Sequence, residues 1–191
     1  MKKRFVTANE LLEDAFTLAL HVLDSGFTPD LIIGLWRGGT PVAVAIHEAL
    51  CVTGLSPAHL PIKTSSYQGI GERNHHVEIS GLEQLQALRT RPGNVLIVDD
   101  VFDTGNTMNA VLNALTEQTT LTDATIKILT PWWKPEVNQT SIAPDYWLHQ
   151  TNDWIVFPHE MAGLSEDELS QKPGAGAIVE WLRMRKFRES R

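Results

Sequence analysis

Positive charge is scarce in this chain. Sixteen lysines and arginines stand against twenty-three aspartates and glutamates, for a formal charge of −7 and a sequence pI of about 5.4. That balance disfavours generic nucleic-acid binding, which relies on a basic surface. Cysteine is nearly absent. Cys51 is alone, which excludes a disulfide within the chain and argues against a small secreted scaffold. No apolar run approaches the length of a membrane-spanning helix, so no membrane partner is expected. Met1-Lys2-Lys3-Arg4 is basic, but Asn9, Glu10, Glu13 and Asp14 interrupt what would have to be the apolar region of a signal peptide. The expectation is a cytoplasmic protein. There is no repeat, no low-complexity segment and no Gly-x-x-x-x-Gly-Lys phosphate loop.

The few basic residues are clustered. Residues 183–191 carry a net +4, which leaves −11 on the remainder. Arg183, Arg185, Lys186, Arg188 and Arg191 read as a solvated helix end or an oligomer contact. The 191 residues, 42% of them hydrophobic, suffice for one domain with a substantial core.

One stretch organises the rest. Asn94-Val95-Leu96-Ile97-Val98 is short, apolar and rich in β-branched residues, and it ends in Asp99-Asp100. Val101-Phe102-Asp103-Thr104-Gly105-Asn106-Thr107 follows, and then a helical pattern with Met108, Val111, Leu112 and Leu115 on one face. A strand, a polar loop and a helix start are predicted, the place where α/β sheets bind ligands. Amides at a helix start have no helical partner and suit phosphate. Gly105 permits close backbone approach, and Thr104 and Thr107 add hydroxyls. Asp99 and Asp100 can take hydroxyls or a hard cation, and Asp103 can accept a proton. Such residues also make ordinary turns and caps, but three acids and three cradle residues in nine positions go beyond that.

The same pattern occurs earlier. Leu31 to Leu35 reads as a strand ending at Trp36-Arg37-Gly38-Gly39, with Thr40 as helix cap and Pro41 at the first helical position. Arg37 and the amides of Gly38 and Gly39 can hold an anion. Before this, Thr7 to Glu10 fits a capping box, with Leu12, Phe16, Ala19 and Leu23 as the apolar stripe and Gly26 as the stop. A strand is predicted near Leu60–Thr64, then a mobile loop across Ser65-Ser66-Tyr67 to His76, and a short strand at His76–Ile79. His75 and His76 lack a spaced third ligand for a metal. Ser80 to Glu83 has capping-box spacing before a short helix through Leu82, Leu85 and Leu88. Ala124, Ile126 and Ile128 mark another central strand. Residues 131–163 hold four of the six tryptophans and no long helical period. A short capped helix at Ser165–Leu169, a turn at Lys172–Gly176 and a last helix with Ile178, Trp181, Leu182 and Arg185 complete the chain.

The segment Ile97-Val98-Asp99-Asp100-Val101-Phe102-Asp103-Thr104-Gly105-Asn106-Thr107 resembles the phosphoribosyl-pyrophosphate (PRPP) motif of type I phosphoribosyltransferases. The xanthine-guanine and hypoxanthine-guanine branch is the nearest match, over about residues 30–160. The resemblance implies an α/β fold with a mainly parallel central sheet flanked by helices and a small hood. It implies one domain over 1–191, with a core over approximately 1–130 and the hood and C-terminal extension over 131–191. It assigns PRPP to Asp99, Asp100, Asp103, Thr104, Gly105, Asn106 and Thr107, with Asp103 catalytic, and pyrophosphate to Arg37, Gly38 and Gly39. Trp36 departs from the family's common serine. Ser65, Ser66 and Tyr67 correspond to the start of a flexible catalytic loop. Lys134 corresponds to a lysine that contacts the purine 6-oxo group, Trp154 to a base-stacking aromatic, and Ile155 to a backbone contact with the base edge. Mg2+ is implied at Asp99 and Asp100, in part through water, with Glu160 where relatives often carry an aspartate ligand. The implied reaction joins a purine base to PRPP, in a homo-oligomer (dimer or tetramer). A PRPP- or nucleotide-binding regulator, or a transferase for adenine or orotate, stays open beside it.

Overall fold

The computed structural model describes residues 2–67, 76–88, 90–118, 121 and 123–189. In chain order the elements are β1 (Lys3–Phe5), α1 (Ala8–Asp24), β2 (Leu31–Trp36), α2 (Gly39–Val52), β3 (Ala58–Tyr67), β4 (His76–Ser80), β5 (Asn94–Val98), β6 (Val101–Phe102), α3 (Asn106–Gln118), β7 (Thr125–Leu129), β8 (Trp132–Trp133), β9 (His149–Gln150), β10 (Trp154–Val156), α4 (Glu166–Gln171) and α5 (Gly176–Glu189). The chain divides into two compact units, Leu12–Asn152 and Met1–Leu11 with Asp153–Arg191. The sequence boundary near residue 130 therefore falls inside the larger unit.

The larger unit is an α/β layer structure. Its main sheet has the order β4-β3-β2-β5-β7. All pairs are parallel except β3–β4. β2 and β5 sit centrally and are apolar on both faces, as strands covered on both sides must be. Leu31, Ile33, Leu35, Val95 and Ile97 face a core completed by Met108, Val111 and Leu115 of α3. On the opposite face Gly34 lets α2 approach β2. A side chain there would put its Cβ 2.9 Å from the Ala43 Cβ. Asp30 ties the starts of the two central strands by accepting from the backbone N–H groups of Gly93 (2.8 Å) and Asn94 (2.9 Å).

β7 is an edge strand rather than a central one. Its outer side is covered by residues 145–146, whose N–H groups donate to the Ile128 carbonyl, while Asp145 accepts from the Ile128 N–H. An open edge would leave those groups unpaired. A second, parallel sheet of order β6-β8-β9 stands beside the main one. There Trp132 is buried and stacks on His149, and Trp133 meets Trp147 edge-on, so these tryptophans are packing residues.

The predicted loop start at Ser65-Ser66-Tyr67 is instead the end of β3, paired antiparallel with Glu78, Val77 and His76 of β4. The ladder satisfies backbone groups that a loop would leave to water. Residues 68–75, including His75, lie outside the described residues. Two caps also differ. α2 begins at Gly39 with Gly38 before it, and Thr40 is inside the helix. Gly81, with φ near +101°, precedes the short 3-10 helix, without the predicted side-chain cap.

In α1 the capping box is present: Thr7 Oγ1 accepts from Glu10 N–H and Glu10 Oε2 accepts from Thr7 N–H. The buried stripe is Leu11, Ala15, Leu18, Ala19 and Val22, while Leu12 and Phe16 are about half exposed. Of the predicted stripe Ala19 is buried and Leu23 is half-buried, but the centre of the buried face lies one residue earlier, on the side of Leu11, Ala15, Leu18 and Val22.

In the smaller unit β1 pairs in parallel with β10. Ser165 and Glu168 form the predicted capping box of α4. On α5 the packed residue is Val179, with Leu182 half-buried, and Ile178 and Trp181 are exposed. Among the described residues no helix is long and apolar enough to cross a membrane.

Candidate active site

The loop after β5 closes on itself as a cradle. Asp99, Asp100, Asp103, Thr104, Gly105 and Thr107 line a concavity of about 190 Å3 floored by Phe102 and Met108. Gly105 has φ near +80°, a conformation other residues rarely adopt. Its missing side chain also leaves room for its neighbours, because a Cβ would meet Thr140 and Asn138. α3 then starts at Asn106, with the Asn109 N–H donating to the Gly105 carbonyl at 2.9 Å. Free amides at a helix start beside a glycine turn suit a phosphate.

Six of the seven predicted PRPP residues face this concavity. Asn106 is the exception. Its side-chain amide donates to Gln139 Oε1 at 3.3 Å, so it braces the cradle from outside. The sequence reading missed that brace altogether. Gln139 N–H donates to the Thr104 carbonyl at 2.9 Å, and Asn138 Oδ1 accepts from the Thr140 N–H. The only signal for it was the run of turn formers Asn138-Gln139-Thr140-Ser141.

The second predicted loop packs directly against the first. A Cβ on Gly38 would collide with the Asp100 carboxylate, and one on Gly39 with the Val98 carbonyl and the Asp99 backbone. The two glycines thus bring the Arg37 loop against the two aspartates. The Trp36–Arg37 peptide bond is cis, and Arg37 is exposed. The Gly39 N–H faces the Asp99 carboxyl, so in this arrangement Gly39 supports the aspartate rather than presenting its amide to solvent. Burial, and then the neighbouring charge of Asp100, hold the Asp99 carboxyl well above the usual carboxylate range; hydrogen bonds from the backbone of Asp100 and Gly39 pull the other way.

Lys134 joins the site by register. β8 pairs with β6 so that Phe102 lies opposite Trp133, and the Lys134 N–H donates to the Phe102 carbonyl at 2.8 Å. Its Nζ then reaches Asp103 Oδ2 at 3.4 Å. Two residues predicted separately, one for the base and one for proton transfer, are neighbours at the rim of the cradle.

Trp154, Ile155 and Glu160 belong to the smaller unit. Trp154 is half exposed on β10, and the Ile155 side chain is buried. The Glu160 carboxylate accepts from the Phe157 N–H at 3.3 Å, and its charge acts on Lys172, whose Nζ donates to the Phe157 carbonyl at 2.7 Å. Among the described residues no three His, Cys, Asp or Glu side chains group as a metal cage.

The comparisons with known proteins agree with this geometry. The model of the phosphoribosyl transferase domain matches residues 5–165. A purine phosphoribosyltransferase from Pyrococcus horikoshii is 29% identical with a TM-score of 0.64, covering 86% of this chain and 98% of that one. The Helicobacter pylori xanthine-guanine-hypoxanthine phosphoribosyltransferase is 20% identical with a TM-score of 0.64, over 82% and 92% of the two chains. A hypothetical protein from Neisseria gonorrhoeae with bound ppGpp is 22% identical with a TM-score of 0.66, over 92% and 97%. No curated protein matches the chain in sequence. With a family model spanning most of its length, a phosphate cradle after β5 and a glycine loop seated on its aspartates, the chain belongs to the phosphoribosyltransferase family and has the type I fold.

Proposed function

We propose that this chain transfers the phosphoribosyl group of PRPP to a 6-oxopurine: hypoxanthine, guanine or xanthine. A bond forms between a base nitrogen and C1′ of the ribose while the bond from C1′ to pyrophosphate breaks. The products are a purine nucleoside monophosphate and pyrophosphate. The observation that carries this reading is the contact between Asp103 and Lys134 at the rim of the cradle. It sets a proton acceptor beside a cation that can donate to a 6-oxo group, next to a site shaped for a phosphate.

Thr104, Gly105 and Thr107 hold the 5′-phosphate at the start of α3. Arg37 and Gly38 hold the departing pyrophosphate, where negative charge grows as the bond breaks. Asp103 takes or positions the proton at purine N7. Lys134 donates to the C6 oxygen, and the ordering of both reactants supplies much of the acceleration. The stacking role of Trp154 and the backbone role of Ile155 rest on the sequence resemblance.

Asp99 and Asp100 fit a divalent cation. They are adjacent carboxylates, and one is held neutral-prone by burial and by the other's charge, a repulsion that a dication relieves. Among the described residues no third His, Cys, Asp or Glu joins them as a metal cage, so substrate oxygens and water would supply the remaining ligands. Mg2+ there would offset charge on the reacting phosphates.

The test is a base panel with PRPP and Mg2+, following both nucleotide and pyrophosphate. Turnover of 6-oxopurines but not of adenine or orotate is expected. Turnover confined to adenine or orotate would overturn the base assignment. Nucleotide binding without turnover of any base would favour a regulatory protein on the same fold.

A further inference from the structure

One stretch reaches both ends of the loop that forms the cradle, and the base chemistry uses only its first residue. At the near end the Lys134 N–H donates to the Phe102 carbonyl at 2.8 Å. A short 3-10 turn, Pro135–Val137, then carries the chain to Asn138. The Asn138 carboxamide folds the residues after it. Its Oδ1 accepts from the Thr140 N–H and from the Thr140 hydroxyl, each at 2.9 Å. Its Nδ2 donates to the Ile142 carbonyl at 2.7 Å. Asparagine that bonds the backbone two residues on is a turn former. Ile142 packs against the apolar core of the main sheet and α3, which gives the turn a fixed footing. At the far end this turn meets the cradle. The Gln139 N–H donates to the Thr104 carbonyl at 2.9 Å. Asn138 Oδ1 stands 2.8 Å from where a Cβ on Gly105 would lie, and Thr140 Oγ1 lies against the same point.

We infer that Asn138 is a positioning residue for the 5′-phosphate end of the site. It acts through Thr104 and Gly105 rather than on the substrate. Two observations favour this over a turn that merely closes a loop. Glycine is the residue with the greatest backbone freedom, and the oxygens of the turn fill the side of Gly105 where a side chain would be. They limit its motion there and hold it at the φ near +80° that shapes the cradle. In addition, an amide oxygen has two acceptor sites, and both sites of Asn138 Oδ1 are engaged inside the turn. The turn therefore backs the glycine without capping the cradle's own N–H groups. Donors fixed in advance bind an anion with less loss of conformational freedom than mobile ones. Asn138 thus governs affinity for the phosphate end, as Lys134 governs the base end. The inference rests on the cradle being the phosphoribosyl subsite of the proposed transferase.

The test uses the full chain and three variants. Asn138→Ala removes all three side-chain bonds of the turn. Asn138→Ser restores an acceptor that rebuilds the turn more weakly. Thr140→Val removes the hydroxyl bond and keeps the backbone one. Circular dichroism verifies that each variant is folded, and if Asn138→Ala is not, the other two carry the test. Calorimetry with ribose 5-phosphate as the probe reads the phosphate end, and initial rates in PRPP and in a 6-oxopurine read the reaction. For Asn138→Ala the Kd of ribose 5-phosphate and the KM of PRPP should rise about tenfold. The rises should be smaller for Asn138→Ser and Thr140→Val, with kcat and the KM of the base little changed in all three. A purely structural lesion would instead reduce the active fraction, lowering kcat and leaving both KM values alone, and that result would overturn the inference. So would an unchanged Kd for ribose 5-phosphate, or equal rises in the KM of PRPP and of the base. Ribose 5-phosphate binding that weakens in the variants of a chain that turns over no base would sink the transferase reading and keep the positioning role. A natural chain that binds no ribose 5-phosphate would overturn both.

Discussion

Lys134 Nζ stands 3.4 Å from Asp103 Oδ2, and the lysine side chain is 11% exposed where the aspartate is 46% exposed. The cation is withdrawn from water and the carboxylate stands in the mouth of the cradle. A proton acceptor needs that access to its substrate. Asp103→Asn keeps the size and removes the proton acceptor. Its turnover with a 6-oxopurine should fall by about 10²–10⁴-fold, with the KM for PRPP changing far less. Initial-rate kinetics in both substrates decide the matter, and equal losses in turnover and PRPP binding would count against a proton role.

Lys134→Met probes the other half of the pair. A hydrogen bond from a charged group contributes about 1.5–3 kcal/mol, which corresponds to a loss of roughly 10- to 150-fold in kcat/KM for the base. Because the methionine no longer donates to an oxygen at C6, discrimination against adenine should narrow as well. If the variant loses activity while keeping the full ratio of 6-oxopurine to adenine, Lys134 does not read C6.

The seat of the Arg37 loop on the aspartates yields a stability series. Gly39→Ala drives a Cβ into the Val98 carbonyl and the Asp99 backbone, and Gly38→Ala drives one into the Asp100 side chain. Backbone yields less than a side chain, so Gly39→Ala should be the worse of the two, at about 1–3 kcal/mol. Gly176→Ala is the control. Nothing lies within 4 Å of its Cβ position, and it opens α5, so it should be neutral or stabilising by about 0.4–1 kcal/mol. Urea melts of the three variants rank them, and a Gly39→Ala variant as stable as Gly176→Ala would remove the packing argument.

These glycines also show how far the sequence could be read. The cradle was legible because its residues are contiguous and end a β-branched run, so local pattern and local chemistry coincide from Val98 to Thr107. That Gly38 and Gly39 matter for contact with Asp99 and Asp100 was not, because the contact joins strands sixty residues apart. The Gln139 brace on Thr104 was hidden for the same reason. In α1 the difficulty was different. Leu11, Leu12, Phe16, Leu18, Leu20, Val22 and Leu23 put apolar side chains on two faces, and periodicity alone does not say which face is buried. The bulky pair Leu12 and Phe16 marks one row, whereas packing buries the neighbouring row through Leu11, Ala15, Leu18 and Val22, with Ala19 common to both. Ser65 to Tyr67 read as loop by composition, yet a partner strand in β4 was enough to hold them extended.

Lys172 gives a prediction in pH. It is buried, and burial lowers its pKa below the ordinary lysine value, opposed in part by the charge of Glu160. Well below the folded-state pKa both the native and unfolded chains carry the proton, and the native state bears the cost of a charged amine held away from water. Between the folded value and the unfolded value of roughly 10.4, the unfolded chain binds more protons than the native one. Native stability contributed by this residue therefore rises with pH across that window and is flat above it. Lys172→Met removes the titrating group along with the hydrogen bond to the Phe157 carbonyl. Urea unfolding of both proteins from about pH 8 to about pH 10.5 isolates the effect from the other lysines. The stability of the natural chain relative to the variant should climb as pH rises. Two parallel curves would mean that Lys172 titrates in the folded protein as it does in water, and that its burial costs the native state nothing.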